Sequence, residues 1–348
     1  MTIKLGVGGQ KLRVELSNSF GKAPVQIGSA DLARKGAGSS IVPGTNHPLS
    51  FAGKPSVTIP AGAVITSDDV DFALPDLAMV SVSLYIKRSE GVATIHALGL
   101  HTTYVAPGDH AAAADLPSSA ATNTNYLWLS GIDVLAPNDR FAVVALGDSI
   151  TDGFKTTVDN DRAWPSLLQD RLLSTTGAPR ASVLNLGVSG NQVLGDGAGV
   201  SALARFDRDV LARPGVRWIV LLEGINDINI HGQVDTDGAL TADDLIAGYE
   251  QILSRAHLHN MKVMGATLTP EEGVWLAGPI GEATRARVNE WIRAAGNFDA
   301  VVDFDAVLRE SGHEAKLRDT LDPGDHIHPN DEGNRLMANK FSLSEFKR

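Results

Sequence analysis

The hydrophobic period of this chain changes once, and that change limits its architecture more than any other feature. From Thr2 to about Asn138 apolar and polar residues alternate, as in Ile3, Leu5, Val7 and then Leu12, Val14, Leu16. Period two is the signature of strands with one buried face. After Pro137-Asn138-Asp139 the run Phe141 to Leu146 is apolar throughout, as expected of a parallel strand covered on both faces. The two patterns need different surroundings. Residues 1–139 are therefore read as an all-β sandwich domain and residues 140–348 as an α/β domain, a division that suits a chain of 348 residues.

Within the β-rich part, Ile3 to Leu16 across Gly8-Gly9 predicts a hairpin. Further strands are expected at Ser56 to Ile59, Met79 to Ile86 and Val92 to Leu98, between clusters of Pro, Gly, Asn and Asp, and the Ala111 to Ala114 tract reads as a solvent-exposed insertion. In the second part, buried-strand runs recur at Val183 to Leu186, Trp218 to Leu222, Lys262 to Ala266 and Ala300 to Phe304. They alternate with helical patterns at Trp164 to Ser174, Asp243 to His259, Thr284 to Ala295 and Glu332 to Phe341. Such alternation predicts a doubly wound parallel sheet with flanking helices.

Composition removes several classes of function. The formal net charge of -11 disfavours nucleic acid and anionic membranes, whose binding depends on basic patches. No apolar run approaches the ~20 residues of a spanning helix, and a polar strand-like stretch, not a signal peptide, follows Met1. The chain has no cysteine, so disulfides, thiol nucleophiles and thiolate metal sites are absent.

Open α/β sheets bind ligands beyond the carboxyl ends of their strands. The first such segment reads Gly147-Asp148-Ser149-Ile150-Thr151-Asp152-Gly153, in which glycine allows a sharp turn and the serine would project over the sheet edge. The second strand runs into Asn185-Leu186-Gly187-Val188-Ser189-Gly190-Asn191 and the third into Glu223-Gly224-Ile225-Asn226-Asp227. The C-terminal region holds Asp325-His326-Ile327-His328-Pro329.

These four segments, in this order, resemble the SGNH (GDSL-like) hydrolase family, whose blocks contribute a Ser, a Gly, an Asn and a His; here they are Ser149, Gly190, Asn226 and His328. The resemblance runs from about Phe141 to the C-terminus. It implies a flavodoxin-like α/β fold, attack by Ser149 on an ester carbonyl, and an oxyanion hole made of the Ser149 and Gly190 N–H groups with the Asn226 amide. Serine needs an adjacent base, and that base needs an orienting group. Asp325 and His328, three residues apart, can supply both, and the family's Asp-x-x-His-Pro pattern favours them over Asp322 and His326. Two histidines one residue apart also admit zinc with Asp322, although no His-Glu-x-x-His element accompanies them; no metal and no cofactor are expected. The glycine-dense stretch Gly195 to Gly199 lacks dinucleotide-binding spacing. Asp148, and Trp275 in the Thr269 to Glu282 segment, are candidates to line the substrate cleft, whereas Trp164 and Trp291 lie at helix-periodic packing positions.

Leu16-Ser17-Asn18-Ser19-Phe20-Gly21 and Thr103-Tyr104-Val105-Ala106-Pro107-Gly108 resemble the β-sandwich that precedes the catalytic domain in a subset of bacterial secreted SGNH esterases. That resemblance implies a secreted or periplasmic enzyme that removes short acyl groups, acetyl groups of carbohydrates among them. A lipase or thioesterase with the same triad, and a non-catalytic carbohydrate-binding protein, are the competing readings.

Overall fold

In a computed structural model that describes residues 1–233 and 239–347, the chain divides into two units. One is Met1–Arg140 with Val158–Asn160; the other is Phe141–Thr157 with Asp161–Arg348. Each is built on its own hydrophobic cluster.

Beside two short two-stranded pairings, Thr103–Val105 with Ala121–Asn123 and Ile95–His96 with Tyr126–Leu127, the core of the first unit is two antiparallel sheets. One orders Thr2–Lys4, Met79–Arg88, Val25–Arg34 and His47–Pro48, with Val57–Ile59 also on Val25–Arg34; the other orders Leu129–Val134, Gly9–Ser17 and Val64–Thr66, with Val70–Leu74 also on Gly9–Ser17. Leu12, Val14 and Leu16 from one sheet and Ile27, Leu32, Val80 and Val82 from the other meet in one core, which makes this an all-β sandwich. The predicted first hairpin does not form. Thr2–Lys4 pairs with Met79–Arg88, and Gly9–Ser17 lies in the other sheet. Alternation specifies which face of a strand is buried, not which strand it pairs with, and both inner faces of a sandwich ask for the same pattern. Two smaller expectations also change. Only Ile95–His96 of the Val92 to Leu98 run is extended, while Val92 is largely exposed. Ala111, read as part of an exposed insertion, is buried.

The second unit is a five-stranded parallel sheet of β1 (Phe141–Gly147), β2 (Ala181–Gly187), β3 (Val216–Leu222), β4 (Lys262–Ala266) and β5 (Ala300–Val302), in the order β2-β1-β3-β4-β5. This is the flavodoxin-like order, with its switch point between β1 and β3. Every residue of β1 is buried, which is why its sequence does not alternate. Flanking it are α1 (Ser149–Asp152), α2 (Trp164–Ser174), α3 (Ala202–Phe206), α4 (Ile225–His231), α5 (Ala242–Leu258), α6 (Pro279–Arg293), α7 (Phe304–Leu308) and α8 (Asp331–Lys340). In α2 the buried Trp164, Leu168 and Leu172 stand one turn apart on one face. A π-helical turn, Asp207–Leu211, continues α3. No helix among the described residues is long and apolar enough to cross a membrane.

Candidate active site

The carboxyl ends of β1, β2 and β3 deliver three of the four sequence segments to the switch point, and the turn before α8 delivers the fourth. At the end of β1 the chain turns at once into α1. The side chain of Asp148 accepts from the Ile150 N–H at 2.9 Å and caps this one-turn helix. Ser149 is the first residue of α1, so its N–H has no intrahelical acceptor. The turn fits because β2 ends in glycine: a Cβ on Gly187 would lie 2.2 Å from the Asp152 nitrogen.

The Ser149 hydroxyl donates to Nε2 of His328 at 2.7 Å, and Nδ1 of His328 donates to Asp325 Oδ2 at 3.0 Å. The other oxygen of Asp325 accepts from the backbone N–H groups of Ile327 and His328, so a single turn holds the carboxylate against the imidazole. Asn334 of α8 fastens that turn from behind, donating to the Pro329 carbonyl at 2.8 Å and accepting from the Trp164 N–H at 3.0 Å. Burial lowers the pKa of His328 and the charge of Lys155 adds to this, against the opposing bond and charge of Asp325. Burial pushes the Asp325 carboxyl up, but the N–H and imidazole of His328 outweigh it, leaving it below its ordinary value. Asp322 and His326 form a separate pair at 2.6 Å, and Asp322 also accepts from the N–H groups of Gly324 and His326. They shape the loop without touching Ser149. No group of three metal-ligating side chains occurs among the described residues.

Gly190 sits in the turn after β2 at φ +79, a conformation that favours glycine. That turn is pinned by Asp152, whose carboxylate accepts from the N–H and hydroxyl of Ser189 at 3.1 and 2.9 Å. Asn226, in the first turn of α4, donates one amide hydrogen to the Asn191 carbonyl at 2.9 Å, which fixes the plane of its amide. Its neighbour Asp227, fully buried, accepts from the Val193 and Leu194 N–H groups.

Beneath these loops lies a residue that the sequence did not single out. The guanidinium of Arg205, only 3% exposed, donates from Nε to Asn191 Oδ1 at 2.8 Å, from Nη1 to the Leu186 carbonyl at 2.8 Å and from Nη2 to the Gly147 carbonyl at 3.2 Å. Nη2 also stands 3.7 Å from the buried Glu223 carboxyl. One side chain thus ties together the ends of β1, β2 and β3. Its only sequence signal is an arginine between Ala202 and Phe206, both fully buried.

Asp148, 1% exposed, has its carboxyl turned to the Ile150 N–H that it caps. Burial raises its pKa to about 7, with the charges of Asp227 and Asp152 adding to the effect and the Ile150 N–H opposing it. A carboxyl raised in the fold releases its proton less readily than in the unfolded chain. Its contribution to stability is therefore full at low pH and is lost as pH rises from the ordinary 3.8 towards about 7. Asp148→Asn, which keeps the capping oxygen, is expected to raise Tm over the parent more at about pH 8 than at about pH 5; equal differences at both would contradict a protonated native carboxyl. Trp275, the other proposed cleft residue, is 88% exposed, so it takes no part in core packing.

Residues 145–336, more than half of the chain, match the GDSL-like Lipase/Acylhydrolase family. The chain belongs to that family. It is an ester-hydrolysing enzyme, and the family match covers the α/β fold and leaves the β-rich segment unmatched. Among solved structures, the chain is similar to a GDSL-like lipase from Bacteroides thetaiotaomicron VPI-5482, with 21% identity over 57% of this chain and 84% of that one and a TM-score of 0.42. It is also similar to a catalytic mutant of an acetylxylan esterase from Geobacillus stearothermophilus (20% identity, 59% and 93% covered, TM-score 0.44). A third is the psychrotrophic esterase EstA from Pseudoalteromonas sp. (17% identity, 57% and 93% covered, TM-score 0.42). No curated protein matches.

Proposed function

We propose that this GDSL-family enzyme is a serine esterase in which Ser149 is the nucleophile, His328 the general base and then acid, and Asp325 the group that orients His328. The observation that carries the reading is the continuous Ser149–His328–Asp325 hydrogen-bond chain, 2.7 and 3.0 Å long. His328 takes the Ser149 proton as Oγ attacks the carbonyl, then returns it to the leaving alcohol; water repeats the sequence on the acyl-enzyme. The carbonyl oxygen becomes negative only in the tetrahedral intermediate, where the Ser149 N–H, the Gly190 N–H and the second amide hydrogen of Asn226 would receive it. Because Nδ1 is held by Asp325, Nε2 is the nitrogen left to accept.

Asn226→Ala is accordingly expected to lower kcat by about 10² to 10³-fold with little change in KM. A folded variant within about threefold of parental kcat, but with reduced Tm, would instead assign Asn226 to fastening the Asn191 loop.

For the substrate we propose short acyl esters, acetylated carbohydrates among them, with export from the cytoplasm as part of the same reading. Support comes from the β-rich segment's resemblance to the sandwich of secreted esterases, and from the exposed indole of Trp275 beyond the carboxyl end of β4, a surface suited to a sugar ring. A panel of p-nitrophenyl esters from acetate to laurate, followed by acetylated xylo-oligosaccharides, tests this. The expected result is the highest kcat/KM on the shortest esters and release of acetate from the oligosaccharides. A maximum on long chains would move the assignment to a lipase or thioesterase, and glycan binding without hydrolysis would move it to a binding protein.

A further inference from the structure

The segment after α1 carries two side chains that neither the triad nor the oxyanion donors explain. Gly153 ends α1 at φ +104, and the N–H groups of both Gly153 and Phe154 bond to the Ser149 carbonyl at 3.0 Å. Three residues later the segment is fastened again: the N–H and hydroxyl of Thr157 donate to the two oxygens of Asp331, the first residue of α8, at 2.8 and 2.7 Å. Between these anchors Lys155 adopts φ +71, a left-handed conformation that is costly for a residue with a side chain and persists only where the surroundings impose it.

The result is a contact with the triad from two sides. The Phe154 ring meets the His328 imidazole edge-on, 4.7 Å between centroids, a favourable aromatic geometry. The Lys155 ammonium lies 5.3 Å from the centroid of that same phenyl ring and 3.8 Å from Asp325 Oδ2, the oxygen that holds His328 Nδ1. At 40% side-chain exposure, Lys155 remains open to solvent.

We propose that Lys155 is a positioning residue of the triad, its ammonium holding the Asp325 carboxylate while Phe154 wedges the imidazole against Ser149. The proposal rests on the reading of Ser149, His328 and Asp325 as the triad. Its chemical consequence follows from sign. The titratable groups that act on His328 are Asp325 on its own loop and Lys155 on the segment after α1, while Ser149 on α1 is its hydrogen-bond partner; Asp322 and His326 on the same loop are bonded to each other. Asp325 favours the imidazolium and Lys155 disfavours it, so Lys155 keeps the base unprotonated to lower pH without loosening the bond that orients it. A neutral side chain at position 155 would remove the ammonium's effect and leave that of Asp325 unopposed.

The test is the pH profile of kcat/KM on a neutral ester for the parent and for Lys155→Met, Lys155→Arg and Lys155→Glu. The acid limb is expected to move to higher pH in Lys155→Met, further in Lys155→Glu, and to return to the parental position in Lys155→Arg. Raising the ionic strength should move the parental limb the same way and the Lys155→Met limb less, because a partly exposed charge is screened by salt. A purely structural contribution of Lys155 would lower Tm without moving the limb. If all four limbs coincide while a fluorophosphonate still labels Ser149, the role given to Lys155 is wrong and the triad stands. If labelling at Ser149 is absent from the parent itself, the triad reading fails instead.

Discussion

Replacing Ser149 with alanine is expected to lower turnover of a short-chain ester by about 10⁶-fold, the loss that follows when the nucleophile of a serine hydrolase is removed. The expectation comes from the geometry of one hydroxyl. Its oxygen lies 2.7 Å from a nitrogen whose partner nitrogen is already bonded to a carboxylate, and nothing else in that chain can form an acyl ester. Residual catalysis over water would come from the oxyanion donors and from binding alone. Steady-state hydrolysis of p-nitrophenyl acetate measures it, with Tm and circular dichroism confirming a folded variant. A loss of only tenfold would mean that Ser149 positions the ester without attacking it.

His328→Ala is expected to cost a similar factor, about 10⁶-fold, and the double variant with Ser149→Ala no more than either alone, because members of a catalytic unit lose their contributions together. The neighbouring pair provides the contrast. His326 is bonded to Asp322 and not to Ser149, so His326→Ala and Asp322→Asn should retain most of the parental rate. Asp325→Asn should lose about 10⁴-fold by leaving the imidazole in the wrong tautomer. Rates for the four single variants in one buffer decide the matter, and a crippled Asp322→Asn beside an active Asp325→Asn would reverse the assignment. Burial lowers the pKa of His328, and only the neutral imidazole accepts the serine proton. Activity should therefore rise with pH on an acid limb lying below the ordinary histidine value of about 6.5 and then reach a plateau.

The legible parts of this chain were those governed by local periodicity. β1 declared itself by unbroken apolar sequence because both its faces are covered, and α2 by Trp164, Leu168 and Leu172 at one-turn spacing. The start of α6 was placed five residues late, at Thr284. The helix opens at Pro279, and its first turn, including Ile280 and Glu282, faces solvent on most sides and so carries no apolar stripe. Strand pairing was the least legible element: Leu12, Val14 and Leu16 would look the same in a hairpin or across a sandwich. In the site, three of the four segments read from the sequence follow strands β1, β2 and β3, and the fourth comes from the turn before α8 to meet Ser149. Arg205 could not be anticipated, because its meaning is set by carbonyls of Gly147 and Leu186, 58 and 19 residues away. Asp148 was read from its place beside Ser149 as a residue near substrate; its carboxyl is buried and caps the helix that Ser149 opens.

The central claim is that Ser149 is the activated nucleophile, and the most direct measurement is the mass and position of the adduct formed with a fluorophosphonate. Intact-mass and peptide mapping of the parent should show one adduct per chain on the peptide containing Ser149, slowed drastically in His328→Ala and absent from Ser149→Ala. An adduct of the same stoichiometry on Ser149→Ala, or ester hydrolysis that continues at the parental rate with Ser149 unmodified in a fully inhibitor-treated sample, would contradict it.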